Sequence, residues 1–207
     1  MLVIGIHGPS RSGKDTIYRI LLEEFPLIKF ERQGFADALK ISAAKALGIE
    51  GTDAEVIAKM DRIKESGQVV SPFGSVSGRE FLQKYGTEAH REMFGSNFWL
   101  DQVIPNVNNP RKRYMGFDRT CDVLIIPDVR YQNEVQRVGN AGGQLWKINR
   151  NVEGHTTGHA SEGKLVANWD RVIDNNATKD DLRSDVKNAF NKIANQIIND
   201  RVTKVFQ

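Results

Sequence analysis

Apolar residues along this chain fall into two alternating kinds of run. The first is short: Leu2, Val3, Ile4 and Ile6 near the start, Leu145, Trp146 and Ile148 late in the chain, and between them the unbroken Val123-Leu124-Ile125-Ile126. Unbroken apolar runs of this length fit strands buried on both faces, as in a parallel sheet covered by helices. The second kind recurs at helical spacing. Ile17, Ile20, Leu21 and Leu22 predict a helix ending near Phe25-Pro26, and Leu39, Ala43, Ala46 and Leu47 predict another that stops at Gly48. Leu182, Val186, Ala189, Phe190, Ile193 and Ile197 mark one face of a closing helix. Leu27–Glu31 and Asp170–Asp174 read as further strands, and Tyr131–Val138 as a helix between the two later apolar runs. Strand and helix alternating at this pace predict an α/β fold with a parallel sheet.

The pattern weakens after Gly48. Asp53–Lys64 has helical composition, whereas Ser66-Gly67-Gln68 and Ser71–Ser75 read as loops. Ser77–Tyr85 then opens a helix that continues through Gly86-Thr87-Glu88-Ala89-His90-Arg91 toward Met93, Phe94 and the pair Phe98-Trp99. Residues 49–100 are therefore expected to be a helical insertion over one face of a single domain whose core is 1–48 and 101–207. Val107–Arg119, with the triplet Arg111-Lys112-Arg113, reads as a polar surface loop.

Chemistry enters between the first strand and the first helix. Gly8-Pro9-Ser10-Arg11-Ser12-Gly13-Lys14 has the G-x-x-x-x-G-K spacing of a phosphate-binding P-loop, in the strand–loop–helix setting that the motif requires. Glycines at both ends let successive backbone N–H groups turn inward around a phosphate chain, and the helix start adds its positive end. Lys14 supplies a cation to the outer phosphates. The residue after the lysine, commonly a metal-binding Ser or Thr, is Asp15, and Thr16 follows it. Asp15 is either a hard oxygen ligand for Mg²⁺ or a helix-start acid favoured by the dipole.

Other candidates lie where parallel sheets gather ligands, at the carboxyl ends of strands. Asp37 is a ligand contact or the N-cap of the next helix. Asp128, just past the strand Val123–Ile126, stands where P-loop enzymes place a second carboxylate on Mg²⁺, with the N-cap of Tyr131–Val138 as its other role. Arg130 beside it can meet a phosphate or the transferring group. In the insertion, Arg79, Gln83, Thr87, Glu88 and Arg91 cluster within thirteen positions. Guanidinium groups at this density suit a second phosphate, while a solvated face with Glu88 paired to Arg91 is the alternative. Arg150 precedes a loop rich in glycine and histidine, Gly154 to Gly163, that reads as a lid over residues 150–165. His155 and His159 are four apart, but the glycines around them argue against the helix that would make them a metal pair.

Bulk properties narrow the setting. The net charge of +3 is too small for wrapping nucleic acid and suits anionic small ligands. One cysteine, Cys121, excludes an internal disulfide and fits a reducing cytoplasm. The opening apolar run is short and broken by Gly5 and His7, so no leader is expected, and no stretch approaches a membrane span.

Taken together, Arg11-Ser12-Gly13-Lys14-Asp15-Thr16, Phe35-Ala36-Asp37, Gln83 to Arg91 with Gly86-Thr87-Glu88, Pro127-Asp128-Val129-Arg130 and Ile173-x-Asn175-Asn176 resemble the phage-type deoxynucleoside monophosphate kinases. The pieces stand in the same order and cover most of the chain. The resemblance implies a three-layer P-loop kinase fold: a parallel five-stranded sheet, a helical insertion binding the monophosphate, and a mobile lid. It implies that Arg11, Ser12, Gly13, Lys14, Asp15 and Thr16 hold the ATP phosphates, that Asp15 and Asp128 manage Mg²⁺, and that Asn175 and Asn176 border the adenine. Asp37, Arg79, Gln83, Thr87, Glu88, Arg91, Trp99 and Arg130 then fall to the acceptor nucleotide, and the catalytic set is Lys14, Asp128, Arg130 and Arg150. The expected reaction is ATP- and Mg-dependent phosphorylation of deoxynucleoside monophosphates in the cytoplasm, the host's if the chain is phage-encoded. Free nucleotides are then its partners, and a homodimer is compatible with it. Two other readings stay open: a kinase for another small phosphorylated acceptor, of dephospho-coenzyme A or phosphomevalonate type, and a nucleotide-binding switch. Asn191-Lys192-Ile193-Ala194 fails the guanine-reading pattern at its last position, which weighs against a GTPase.

Overall fold

A computed structural model of the chain describes residues 1–71, 74–104, 121–151 and 165–205. Its elements in chain order are β1 (Leu2–His7), α1 (Lys14–Glu24), β2 (Phe30–Arg32), α2 (Phe35–Ala46), α3 (Asp53–Ser66), β3 (Gln68–Ser71), β4 (Gly74–Ser77), α4 (Gly78–Gly86), a π-helical turn (Thr87–Arg91), α5 (Glu92–Phe94), α6 (Phe98–Val103), β5 (Val123–Ile126), α7 (Gln132–Asn140), β6 (Gln144–Asn149), β7 (Arg171–Asp174) and α8 (Lys179–Val205). They fall into two compact units, one built from Met1–Gln33 with Asn106–Gln207, the other from Gly34–Pro105.

The first unit is a five-stranded sheet in the order β2-β5-β1-β6-β7. Every pairing in it is parallel. Its central strands are the short apolar runs: all four residues of β5 and Val3–Ile6 of β1 are buried, as a strand covered on both faces demands. Ile4, Ile6, Ile125, Trp146 and Ile148 project into one cluster with Ile17 and Leu21 of α1 and Val186 and Phe190 of α8. α7 packs on β1 and β6, so helices line the sheet in three layers. Arg183 of α8 reaches Glu23 and Glu24 at 2.5 and 2.6 Å and Lys187 reaches Glu24 at 2.8 Å. Those cations offset two carboxylates at the C-terminal, negative end of α1. The three-layer P-loop kinase fold with a parallel five-stranded sheet is thus the observed one.

Two expectations shift here. β2 starts at Phe30 rather than Leu27, because this edge strand is defined only by its register on β5, Phe30 opposite Val123 and Arg32 opposite Ile125. Asp128 does not cap α7; Tyr131 occupies the N-cap and the buried Glu134 carboxylate takes the Arg130 and Tyr131 amides at 2.6 and 3.0 Å.

The second unit is helical, with a core of Ala43, Ala44, Val56, Met60 and Leu82 drawn from α2, α3 and α4. Thr52 and Glu55 form a reciprocal capping box at the start of α3, and the Ser77 hydroxyl caps α4 by accepting from Glu80 N–H at 3.2 Å. The stretches expected to be loops on either side of residues 72 and 73 instead pair as the antiparallel hairpin β3–β4, with Gln68 opposite Ser77 and Val69 opposite Val76. Gln, Ser and Gly surround the strand-favouring Val69, Val70 and Val76, and the two ends are brought together where the Gly78 N–H donates to the Gly67 carbonyl at 2.9 Å. Among the described residues no helix is long and apolar enough to cross a membrane. The expected loop 107–119 lies outside the described residues, as do residues 152–164 of the expected lid with His155 and His159.

Candidate active site

The glycine loop sits at the carboxyl end of β1, the middle strand of the sheet. Gly8 lies against β6 so closely that a Cβ there would stand 2.3 Å from the Ile148 side chain and 2.8 Å from its carbonyl oxygen. Gly13, the N-cap of α1, has φ 104°, a left-handed conformation that side chains rarely adopt. Arg11 also has positive φ, 60°. Ser12 between them is fully buried. The loop therefore doubles back with alternating backbone handedness, the geometry that turns peptide N–H groups toward one concavity.

Lys14 opens α1 and folds over this loop. Its ammonium donates to the Gly8 and Pro9 carbonyls at 2.9 and 2.5 Å and to the Ser12 hydroxyl at 3.4 Å. Burial lowers its pKa to about 8, Arg130 pushes the same way, and the carboxylates of Asp15 and Asp128 oppose the shift. Lys14, Arg130, Asp15 and Asp128 thus share one electrostatic neighbourhood. Asp15 is exposed and ion-paired to Arg32 at 3.0 Å. Thr16 lies in the first turn of α1 behind it.

Beside the loop is a cleft of about 490 Å³ lined by His7, Gly8, Lys147, Arg150, Asp174 and Asn176 among others. Arg150, expected at the hinge of a lid, is therefore on the same side of the sheet as the glycine loop. A second hollow, of about 380 Å³, is lined by Met1, Leu2, Cys121 and Asp122 at the amino ends of β1 and β5. Ligands of parallel α/β sheets bind at the carboxyl ends, which makes the cleft at the loop the candidate site.

His7 went unremarked as a candidate in the sequence, although it immediately precedes the loop. Its Nδ1 lies 2.9 Å from the Val129 carbonyl, so Nδ1 carries the proton and donates. Its ring stacks on Trp169 at 5.3 Å and 17°. Burial lowers its pKa, the Val129 contact opposes this, and Lys147, Lys14 and Arg130 add to the lowering. A neutral imidazole thus braces the segment that carries Asp128 and Arg130. Glu134 braces that segment from the other side and was equally unremarked; its position three residues after Tyr131 is the capping-box signal that would have found it.

Asn175 and Asn176 are fixed by specific partners. The Asn175 amide donates to the Ser12 carbonyl at 2.7 Å, and the Asn176 carbonyl accepts from Asn151 N–H at 2.7 Å.

The remaining candidates belong to the helical unit. Asp37 is buried at the third position of α2, not its N-cap, and its carboxylate accepts from the Gly34 N–H at 2.7 Å. Lys40 links Asp37, at 3.4 Å, to Asp61, at 3.0 Å. Arg79 and Gln83 lie one turn apart on the exposed side of α4, and Arg79 pairs with Glu65 at 3.3 Å. Thr87, Glu88 and Arg91 fall in the π-helical turn. There the wider turn exposes carbonyls to side chains: Trp99 Nε1 donates to the Gly86 oxygen at 3.0 Å and His90 Nδ1 sits 2.6 Å from the Tyr85 oxygen. Trp99, expected at the acceptor nucleotide, is buried and packs against Tyr85, His90 and Phe98.

A parallel sheet in this strand order, with a glycine loop and lysine at the end of its central strand, defines a P-loop kinase. A model of the deoxynucleotide monophosphate kinase family matches residues 35–186, and the chain belongs to that family. It is also 28% identical over 198 residues to a protein of Acanthamoeba polyphaga mimivirus named "Putative deoxynucleotide monophosphate kinase", a match that covers 90% of this chain and 94% of the viral one. The protein is accordingly a transferase of deoxynucleotide metabolism.

Proposed function

We propose that the enzyme transfers the γ-phosphoryl group of ATP, with Mg²⁺, to the phosphate of a deoxynucleoside monophosphate, releasing ADP and the diphosphate. The observation that carries this reading is Lys14 folded over the glycine loop, its ammonium on the Gly8 and Pro9 carbonyls, in a chain of the deoxynucleotide monophosphate kinase family. Loop amides and the start of α1 receive the triphosphate, whose charge draws the Lys14 ammonium off the Gly8 and Pro9 carbonyls and raises its pKa. Arg130 and Arg150 neutralise charge that builds on the transferring group, and no base is needed because the acceptor phosphate is already ionised. Asp15 and Asp128 are hard oxygen donors beside the same lysine and fit a cation shared with the nucleotide, the usual manner of holding Mg²⁺. When bound, the metal neutralises charge on the outer phosphates. Arg79, Gln83, Thr87, Glu88 and Arg91, with Asp37 behind them, are assigned to the acceptor.

The test is coupled ADP release with Mg-ATP against dAMP, dGMP, dCMP, dTMP and their ribose counterparts, with products identified by chromatography. Diphosphate is expected from one or more deoxynucleotides. Failure with all of them, in folded protein that binds ATP, would refute the assignment.

A further inference from the structure

We propose that Asn175 is a positioning residue that holds the Ser12–Gly13 peptide with its N–H facing the nucleotide phosphates. The inference rests on the reading that the glycine loop binds ATP, and goes beyond it by naming what sets the loop's donor geometry. Asn175 follows β7 and is 9% exposed. Its Nδ2 donates to the Ser12 carbonyl at 2.7 Å across 163 residues of chain, while its own backbone N–H is fixed on the Asn149 carbonyl at 2.8 Å. In a trans peptide the C=O and the following N–H point in opposite directions. Holding the Ser12 oxygen on the β7 side therefore aims the Gly13 N–H at the other side. Among the described residues nothing accepts from that N–H, which leaves it available to a phosphate oxygen.

A lock of this kind has work to do at this position. Glycine tolerates both signs of φ, so the Ser12–Gly13 peptide can flip at little conformational cost. The fit is also close: a Cβ on Gly13 would stand 2.5 Å from Asn175 Nδ2. The next residue secures the base of the lock, since Asn176 takes the Asn151 N–H at 2.7 Å and its own N–H donates to Asp174 at 3.0 Å.

The experiment uses ¹⁵N,¹³C-labelled enzyme titrated with Mg-ADP, followed by steady-state kinetics of Asn175→Asp and Asn175→Ala. Asp keeps the shape of Asn and loses the donor. In the wild type, the Gly13 amide should move downfield on binding, and a scalar coupling from Asn175 Nδ2 to the Ser12 carbonyl carbon should persist in the complex. In both variants the Gly13 shift should collapse and KM for ATP should rise about tenfold or more, with KM for the monophosphate within about twofold and the fold retained at a lower melting temperature, since the Ser12 carbonyl loses its donor. A variant that keeps the Gly13 shift and the wild-type KM for ATP overturns the inference. Should the variants not fold, the wild-type coupling decides, and its loss on binding overturns the inference equally. If Mg-ADP moves other loop amides but not Gly13, the lock fails while nucleotide binding stands. If it moves no amide at all, the nucleotide reading fails and takes the lock with it.

Discussion

The sheet unit and the helical unit present their functional groups in opposite ways. In the first, the proposed surface for the nucleotide phosphates is mostly backbone, glycines and a helix start with Lys14 folded over them, held where β1 ends against β6. In the second, the candidate groups are side chains, and what holds them is other side chains: the Asp37–Lys40–Asp61 series and the aromatic cluster around His90. A backbone site needs a fixed spacing of glycines and so leaves a motif. A side-chain site needs only that helices pack, and many spacings satisfy that.

The largest effect should come from the one side chain on which the backbone site depends. Lys14→Ala is expected to lower kcat/KM by roughly a thousandfold or more, the scale lost when a charge-stabilising group is removed from a phosphoryl-transfer site. Because burial depresses the Lys14 pKa, its cation costs folding free energy, so the melting temperature should hold or rise. A variant with near-normal turnover would break the division drawn between the units.

The comparison also explains what could be read in advance. β1, β5, β6 and α8 follow directly from apolar runs and helical periodicity, and the glycine loop from its spacing. The hairpin β3–β4 could not be read, because Gln, Ser and Gly surround its strand-favouring valines and neither stretch alone shows that the two ends meet at Gly67 and Gly78. The π-helical turn was equally hidden, since Thr87–Arg91 continues a helical pattern and only the Trp99 and His90 contacts to the Gly86 and Tyr85 carbonyls reveal the extra residue. Asn175 was legible as a turn residue after the last strand. Its bond to Ser12, far away in sequence, has no local signature.

A smaller effect should separate packing from recognition in the helical unit. Trp99→Phe keeps an aromatic ring and removes the indole N–H that satisfies the Gly86 carbonyl. The expected loss is about 0.5–1.5 kcal/mol in urea unfolding, the net contribution of one hydrogen bond. KM for ATP should not change. A rise in KM for the monophosphate at unchanged stability would instead return Trp99 to the acceptor site.

The finest test of the comparison is pH. In the proposed reaction the Lys14 cation binds phosphate, and in the free enzyme burial lowers the pKa of that group to about 8. Above that value the Kd for ATP should climb, by up to about tenfold per pH unit, until the higher pKa of the complex is passed. Folding stability should move the other way. The unfolded lysine keeps its proton to the ordinary value of 10.5, so between about 8 and 10.5 the unfolded chain binds more protons and stability rises with pH. One group thus weakens ligand binding and strengthens the fold over the same window, and Lys14→Arg, whose cation persists, should flatten both profiles. The acceptor candidates do not include Lys14, so the KM for the monophosphate should remain level. A monophosphate KM that climbs in parallel with the Kd for ATP would mean that the acceptor phosphate also relies on Lys14, and that the two sites are not chemically separate.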